Sequence, residues 1–458
     1  MNRATFFIGL LLSLASLAGR AATTGTALPE ALVVLMGDQH SAYERTAQFV
    51  ARVDRLKQEH PGVPLAILIN GDSFEYGNVV ARRTEGAIDF AMFAALAQRA
   101  PTVVNLGNHE PDYFDVAETV RRLEATGVKV ISGNLRNPGT GRPYAPASTR
   151  VKLGVHEAVL VGVTTDRLST YRLAIRPQLD LADPVVWARE NFSGLLDAAA
   201  GGTRVLPIVL SHAGLRADRA MLPLVPDGTL FAGAHDHLRF VHRDGGTTYV
   251  HSGSWMEFMS VARLQRTGKG LDWRVEQVSL GADDAVEPQL AQRIRATLAQ
   301  HLTPEETVVV GRTPRALGPS AAAAFAVDAA RVAAKADVAL VGATTFGAGL
   351  PAGDVSRFAF DACVRFDGAL YEAEVDGAWL QALIGRANQG PDTPFAARGG
   401  ENLLVAVRGA IEPGRRYRFV TTDWVAKNAK TYLGETPPAL TEMPALKLKA
   451  AVSAALNP

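Results

Sequence analysis

From Ala31 onward the chain alternates two kinds of hydrophobic pattern. Short unbroken apolar runs, "ALVVLM", "PLAILIN" and "PTVVNL", have the length and aliphatic content of strands buried on both faces. Between them, "AQFVARVDRLKQE", "EGAIDFAMFAALAQR" and "DVAETVRRLEATG" repeat apolar positions every three or four residues, the spacing of a helix with one buried face. "VKVISGNL", "RVLPIVLSH", "GTLFAGAHDH" and "TTYVHSGS" continue the strand series. Alternating strands and helices predict a layered α/β domain.

The rhythm breaks at "GADDAVEPQLAQRIRATLAQHLTPEE", which reads as a linking helix ended near Pro304. A second α/β region follows, with helix "AAAAFAVDAARVAAK", strand "ADVALVGAT", strand–turn–helix "LYEAEVDGAWLQALIGRA", strand "RYRFVTTDW" and a helical tail "MPALKLKAAVSAAL". The expected division is therefore 28–282 for the first domain, 283–305 for the linker and 306–458 for the second. At the other end, Arg3 precedes an apolar run from Phe6 to Ala18, with small residues at Ala18 and Ala21. That is the pattern of a secretory signal peptide over residues 1–21, too short to span a bilayer. Export, to a periplasm for example, is the expected location.

Composition adds exclusions. The 458 residues are 47% hydrophobic and 20% charged, a balance able to bury two cores. A formal net charge of +1 and the absence of a basic run give no reason to expect a nucleic-acid polymer or an anionic membrane as partner. Cys363 is the only cysteine, so no intrachain disulfide forms and no thiolate-closed zinc site can be built.

Polar residues gather just past the strand ends, where α/β folds place their sites. His235 and His237 end one strand, and residues two apart on an extended chain share a face. Asp38 and His40 follow the first strand, Asp72 the second, Asn108 and His109 the third, and His212 ends "PIVLSH". Taken singly, each has an ordinary explanation: Asp38 as a helix cap, Gly71-Asp72 as a turn, Asn108 as a left-handed turn residue. Five such groups, all at strand ends, favour a metal site. Carboxylate, imidazole and amide oxygen together suit zinc, manganese, iron or cobalt, and the donors outnumber what one tetrahedral ion needs, so two ions are expected.

The blocks D-x-H, G-D, G-N-H-E, S-H and H-x-H, in that order, make the chain similar to the calcineurin-like metallophosphoesterases, and among them to the bacterial 5′-nucleotidase and 2′,3′-cyclic-nucleotide phosphodiesterase family. The resemblance runs from about Ala31 to Leu264. It implies a four-layer α/β/β/α sandwich followed by a smaller α/β C-terminal domain. It implies one ion on Asp38, His40 and His237, a second on Asn108, His212 and His235, and Asp72 between them. It makes His109 the catalytic histidine, oriented by Asp112, in a small-molecule phosphoester hydrolase where hydroxide held by the ions attacks phosphorus. Ser41, Ala234 and Pro111 stand where the family has Gly, Gly and an aromatic residue. None of these departures removes a ligand.

The second region resembles the family's nucleotide-binding domain less closely. Its glycine-rich turn, "GATTFGAGLPAGDV", lacks the arginine that grips the substrate phosphate. The motif "PF-x-N" appears as "RFDG", Arg365 to Gly368, and "GGDGY" as "AKNAKTYLG". Phe366 and Trp424 stand where the family stacks a nucleobase, and Arg312 or Arg315 could replace the lost charge. Nucleoside monophosphates or cyclic nucleotides are the expected substrates. Other readings stay open: the same core acting on a sugar phosphate or a sulfur-linked sulfate, a metal-containing binding protein without activity, or a structural metal site. The sequence assigns no oligomeric state.

Overall fold

The computed structural model describes residues 28–196, 204–268, 270–387, 390, 393–400 and 402–457. The expected signal peptide lies outside these residues. No helix among them is long and apolar enough to cross a membrane.

Two six-stranded sheets pack face to face. The first runs in the order Gly270–Ser279, Phe258–Thr267, Ala31–Met36, Leu65–Asn70, Thr102–Asn105, Lys129–Ile131. The last four of these strands are parallel, and Phe258–Thr267 joins them antiparallel to Ala31–Met36. The second runs in the order Arg239–Asp244, Thr247–Ser252, Leu230–Gly233, Val205–His212, His156–Thr164, Ser148–Leu153. Its four central strands are again parallel.

The unbroken apolar runs are explained by what covers each face. Ala31, Val33 and Leu35 share the core between the sheets with Leu206, Ile208 and Leu210, whereas Leu32, Val34 and Met36 pack under helices. Helices Tyr43–Glu59, Ala87–Ala97 and Pro288–His301 supply that outer layer through Phe49, Val53, Leu56, Phe93, Leu290 and Ile294. Helices Pro184–Leu196 and Leu215–Met221 cover the other sheet. The result is the expected four-layer sandwich. The helix read as a linker thus has its inner face buried in the first core.

The second region holds a five-stranded sheet, Leu403–Val407, Val338–Gly342, Arg416–Thr422, Ala369–Asp376, Thr441–Lys447, with a short ribbon Val309–Thr313/Gly353–Ser356. Helices Pro319–Ala333 and Leu448–Ala455 pack on one face and Gly377–Ala387 on the other. The tail read as wholly helical is a strand, Thr441–Lys447, before it becomes the helix. Pro444 fits there because the strand lies at the sheet edge, where a missing N–H costs no ladder bond.

Contacts tie the two regions together. Arg83 forms a two-pronged pair with Glu306 at 2.6 and 2.7 Å. His242 stacks on Phe395 with ring centroids 4.0 Å apart. Arg365 pairs with Glu75.

Candidate metal centre and its surroundings

Because the central strands are parallel, their carboxyl ends lie along one edge of the sandwich. Two buried carboxamides hold the sheets in register there. Asn70 donates to the carbonyls of Ser211 and Ala232, each at 2.9 Å. Asn105 donates to Asn70 Oδ1 at 3.0 Å and to the Val163 carbonyl at 2.8 Å. The loops that carry Asp38, His40, Asp72, Asn108, His109, His212, His235 and His237 leave from this stitched edge, and the structure brings all eight residues together.

The backbone there is bent hard. Asp38, His40, Asp72, His235 and His237 all have positive φ, between 51° and 81°. Left-handed residues other than glycine cost ~1 kcal/mol or more each and collect where the surrounding structure demands a particular side-chain direction. Gly71 and Gly107 allow the loops to meet: a Cβ on Gly71 would lie 2.5 Å from His212 Nδ1, and one on Gly107 2.4 Å from Asp72 Oδ1.

Donor atoms form two main groups, Asp38–His40–His237 and Asp72–His212–His235, each with one atom per residue within 4.8 Å of the others. His40 Nε2 and His237 Nε2 face each other at 2.9 Å. His212 Nδ1 donates to the Asn70 carbonyl at 2.7 Å, which aims its Nε2 at Asp72 Oδ2, 3.1 Å away. Asp38 Oδ1 lies 3.9 Å from His212 Nε2 and 4.0 Å from His237 Nε2, between the groups. Asn108 Oδ1 and His235 Nδ1 are buried without a hydrogen-bond partner among the described residues. A buried acceptor left unpaired costs ~1–3 kcal/mol, so these atoms fit positions that a cation satisfies.

Burial and charge act on these groups in opposite directions. Burial holds His40, His235 and His237 neutral, and His235 is pushed down to about 3 by burial and the nearby His212. Neutral imidazole is the form that binds metal. Burial opposes charge on His212, but Asp72 and Asp38 outweigh it and push the group up to about 10. Burial would raise the Asp72 carboxyl, yet His212 and His109 keep it well below the usual range. Asp38, with less compensation, is raised by burial.

His109 sits beside this cluster with its backbone N–H on Asp72 Oδ1 at 2.8 Å. Its Nδ1 meets Asp112 Oδ2 at 2.9 Å, and Asp112 is anchored in turn by the Tyr76 N–H at 2.8 Å. Burial disfavours charge on His109, but Asp112 and Asp72 raise it to about 10.

Several neighbours of the cluster are not expected from the sequence pattern. Glu110, the last residue of "GNHE", accepts from the backbone N–H groups of Asp72, Ser73 and Gly107 and so fixes the loop that presents Asp72. Glu75 lies 3.5 Å from His40 Nδ1 and pairs with Arg365 of the second region. Trp255, in the run "SGSW", stacks on His40 with centroids 5.0 Å apart. The only local signals are a carboxylate three residues past Asp72 and an aromatic near a strand end.

The residues of the second region separate. Phe366 lines an interdomain cavity of about 620 Å³, together with Trp255, Glu75 and Arg365. None of the eight clustered residues lines that cavity, which lies behind Glu75 and Trp255. Trp424 is exposed elsewhere, its Nε1 on Tyr432 Oη at 3.2 Å, and among the described residues no ring contact joins it to Phe366. Arg312 pairs with Asp354 on the exposed ribbon, at 3.1 Å. No contact of Arg315 with the cluster is seen among the described residues.

Comparisons with known proteins follow the same division. The calcineurin-like phosphoesterase family matches residues 31–239, and the 5′-nucleotidase C-terminal domain matches 299–435. A search of curated proteins finds no match. The 5′-nucleotidase precursor of Thermus thermophilus is similar in structure, with 18% identity, 93% of this chain and 96% of that chain covered, and a TM-score of 0.57. The sulfate thiohydrolase of Thermus thermophilus, in complex with glycerol, shares 15% identity over 94% of each chain, with a TM-score of 0.61. The 5′-nucleotidase of Candida albicans shares 13% identity, with 94% and 98% covered and a TM-score of 0.57. At such identities the likeness is one of fold. The family matches themselves cover the strand ends that hold the clustered histidines and most of the second sheet. Residues 31–239 thus form a calcineurin-like phosphoesterase domain, of a family of hydrolases with dinuclear metal centres, and residues 299–435 a 5′-nucleotidase C-terminal domain.

Proposed function

We propose that the chain hydrolyses a small phosphoester at two divalent ions, with nucleoside monophosphates or cyclic nucleotides as its substrates. Asp38, His40 and His237 would hold one ion and Asn108, His212 and His235 the other, with Asp72, whose Oδ2 lies 3.1 Å from His212 Nε2, as the ligand they would share. The observation that carries this reading is the pair of unpartnered buried atoms, Asn108 Oδ1 and His235 Nδ1, beside the Asp72–His212 pair. Two bound ions of zinc, manganese, iron or cobalt would polarise the ester oxygens and activate water. The chain's own residues aim and protect. Asn70 sets the His212 tautomer, Glu110 fixes the Asp72 loop, and Asp112 orients His109. His109 then holds a proton where the leaving oxygen departs.

The test is a screen of metal-loaded protein against nucleotides, cyclic nucleotides and sugar phosphates, with metal content measured alongside. Product release abolished by chelator is expected. Two bound equivalents with no turnover of any ester would leave a metal-binding protein instead.

One observation favours a second reading, a non-nucleotide ester. Phe366 lines the interdomain cavity, whereas Trp424 is exposed and does not line it, so the two aromatics do not share that cavity. Turnover of sulfur-linked sulfate or sugar phosphate above every nucleotide would establish it. Export is inferred from the apolar run Phe6–Ala18, and the mature N-terminus tests it.

A further inference from the structure

The glycine-rich turn of the second region has no arginine, and Arg312 is engaged on a distant ribbon. Arg365 reaches the same place by another route. Its Nη1 donates to the carbonyl of Thr344, inside that turn, at 3.2 Å. Its Nη2 pairs with Glu75, which also lies 3.5 Å from His40 Nδ1 and accepts from the Gly77 N–H at 2.8 Å. The guanidinium carbon lies 5.1 Å from the centre of Trp255, the ring stacked on His40, and 5.0 Å from that of Phe366. Arg365 is therefore one residue removed from His40 on two sides, with its side chain only 11% exposed.

A guanidinium carries five N–H donors in a rigid fork suited to tetrahedral oxyanions. Among the described residues, Glu75 and Thr344 take two of Arg365's donors. The remaining donors are a charged binding capacity at the edge of the candidate metal centre. Glu75 supplies the counter-charge that lets the cation stay buried, since an isolated buried ion is too costly.

We propose that Arg365 binds the anionic ester group of the substrate from the second-region side, in place of the arginine missing from the glycine-rich turn, with Glu75 holding it in position. The anion is a tetrahedral oxyanion, phosphate or sulfate. This inference rests on the hydrolase reading above, and the experiment separates the two.

Binding of inorganic phosphate and of inorganic sulfate is measured by calorimetry on metal-loaded wild type, R365M, R365K and the double variant R365M/E75Q. KM and kcat on the best ester are measured for the same proteins. R365M should weaken its preferred anion and raise KM by ~10–100-fold, the scale of lost charged hydrogen bonds. R365K should recover part of the loss, because it restores a point charge without the fork. The double variant leaves no buried carboxylate unpaired, so it serves even if R365M does not fold, and it should stay weak. Whichever anion shows the larger Arg365-dependent loss identifies the ester. Unchanged anion binding in R365M, or wild-type binding restored in the double variant, would reduce Arg365 to a counter-ion of Glu75 and overturn the proposal. Wild type that binds anion through Arg365 yet turns over no ester would refute the hydrolase reading alone.

Discussion

The two regions are both sheets covered by helices, yet they treat their strand ends in opposite ways. The first, together with the helix Pro288–His301 that packs on it, holds all ten histidines of the chain. The buried ionisable side chains lie overwhelmingly there, and so do nearly all the left-handed non-glycine residues. Past residue 306, Lys335 is the only such backbone outlier among those described. Strands Val309–Thr313, Val338–Gly342, Gly353–Ser356 and Arg416–Thr422 end in small or hydroxyl residues instead, and the aromatics Phe366 and Trp424 are exposed. On the hydrolase reading proposed above, the difference separates chemistry from recognition. A site that must hold charge in fixed positions accepts strain and burial, and ligand binding can offset both. The second region has little strained backbone, and Arg365, its cation proposed to meet the substrate, is kept buried by pairing with Glu75 of the first.

The comparison breaks if the strained cluster is dispensable, so the largest effect is expected there. Asp72→Asn should lose bound metal and lower turnover by more than ~10²-fold, beyond the loss usual for residues that merely support a ligand. Elemental analysis of the purified variant checks it, and two retained equivalents would remove Asp72 from the shared position.

Next is the division within the cluster between holding metal and moving protons. His109→Asn should keep both metals and lower kcat by ~10²–10⁴-fold on a nucleoside leaving group. The loss should shrink on a nitrophenyl ester, whose leaving group needs little protonation. Equal losses on both esters would exclude the proton-donor role, and lost metal would make His109 a ligand.

In the second region smaller, substrate-dependent effects are expected. Phe366→Ala should raise KM for nucleotides by a stacking contribution of ~1–3 kcal/mol while sparing a small aryl phosphate. Trp424→Ala, away from the cavity, should change KM less. The reverse order would place the base at Trp424, as the sequence alone allows.

The smallest effect sharpens the meaning of burial itself. Asp89 is buried outside the cluster, accepting from Tyr43 Oη at 2.7 Å, and burial pushes its carboxyl up to about 7. Its folded value lies above its unfolded one, so it favours the folded state fully below about pH 4 and loses that contribution as pH rises to about 7. Asp89→Asn should therefore gain stability over wild type at pH 8 relative to pH 5, by at most ~1.4 kcal/mol per pH unit. Denaturant midpoints at the two pH values measure it. No difference would show that the carboxylate is solvated.

Much of the sandwich is legible because its central strands are buried on both faces and leave unbroken apolar runs. His156–Thr164 carries such a run too, "AVLVGV", but it leads to Thr164 and Thr165 and not to a ligand-type residue, so nothing in the donor pattern marks it. The edges leave weaker traces. In Ser148–Leu153 and in the hairpin of Phe258–Thr267 with Gly270–Ser279, polar residues break the apolar pattern. Arg263, Gln265, Arg274 and Glu276 do so in the hairpin, whose outer strand Gly270–Ser279 is the sheet edge and whose two strands are only partly buried. The strand in the tail is masked by Lys447 and Lys449, which suit an edge and a helix alike.

By itself the sequence determined the candidate donor set, since carboxylate and imidazole at the ends of parallel strands have few other uses in combination. Glu110, Asn70 and Asn105 were equally present in it, but their work is a set of hydrogen bonds to groups up to 162 residues away or on neighbouring loops. Local pattern carries no record of such partners. The same holds for Arg365. One residue before a candidate aromatic, it reads as an ordinary surface cation. Only the packing of the second region against the first sets its guanidinium on Glu75, 290 residues away in the chain. Periodicity reports which side of an element faces a core. Which charges meet across two cores is decided by how those cores are stacked.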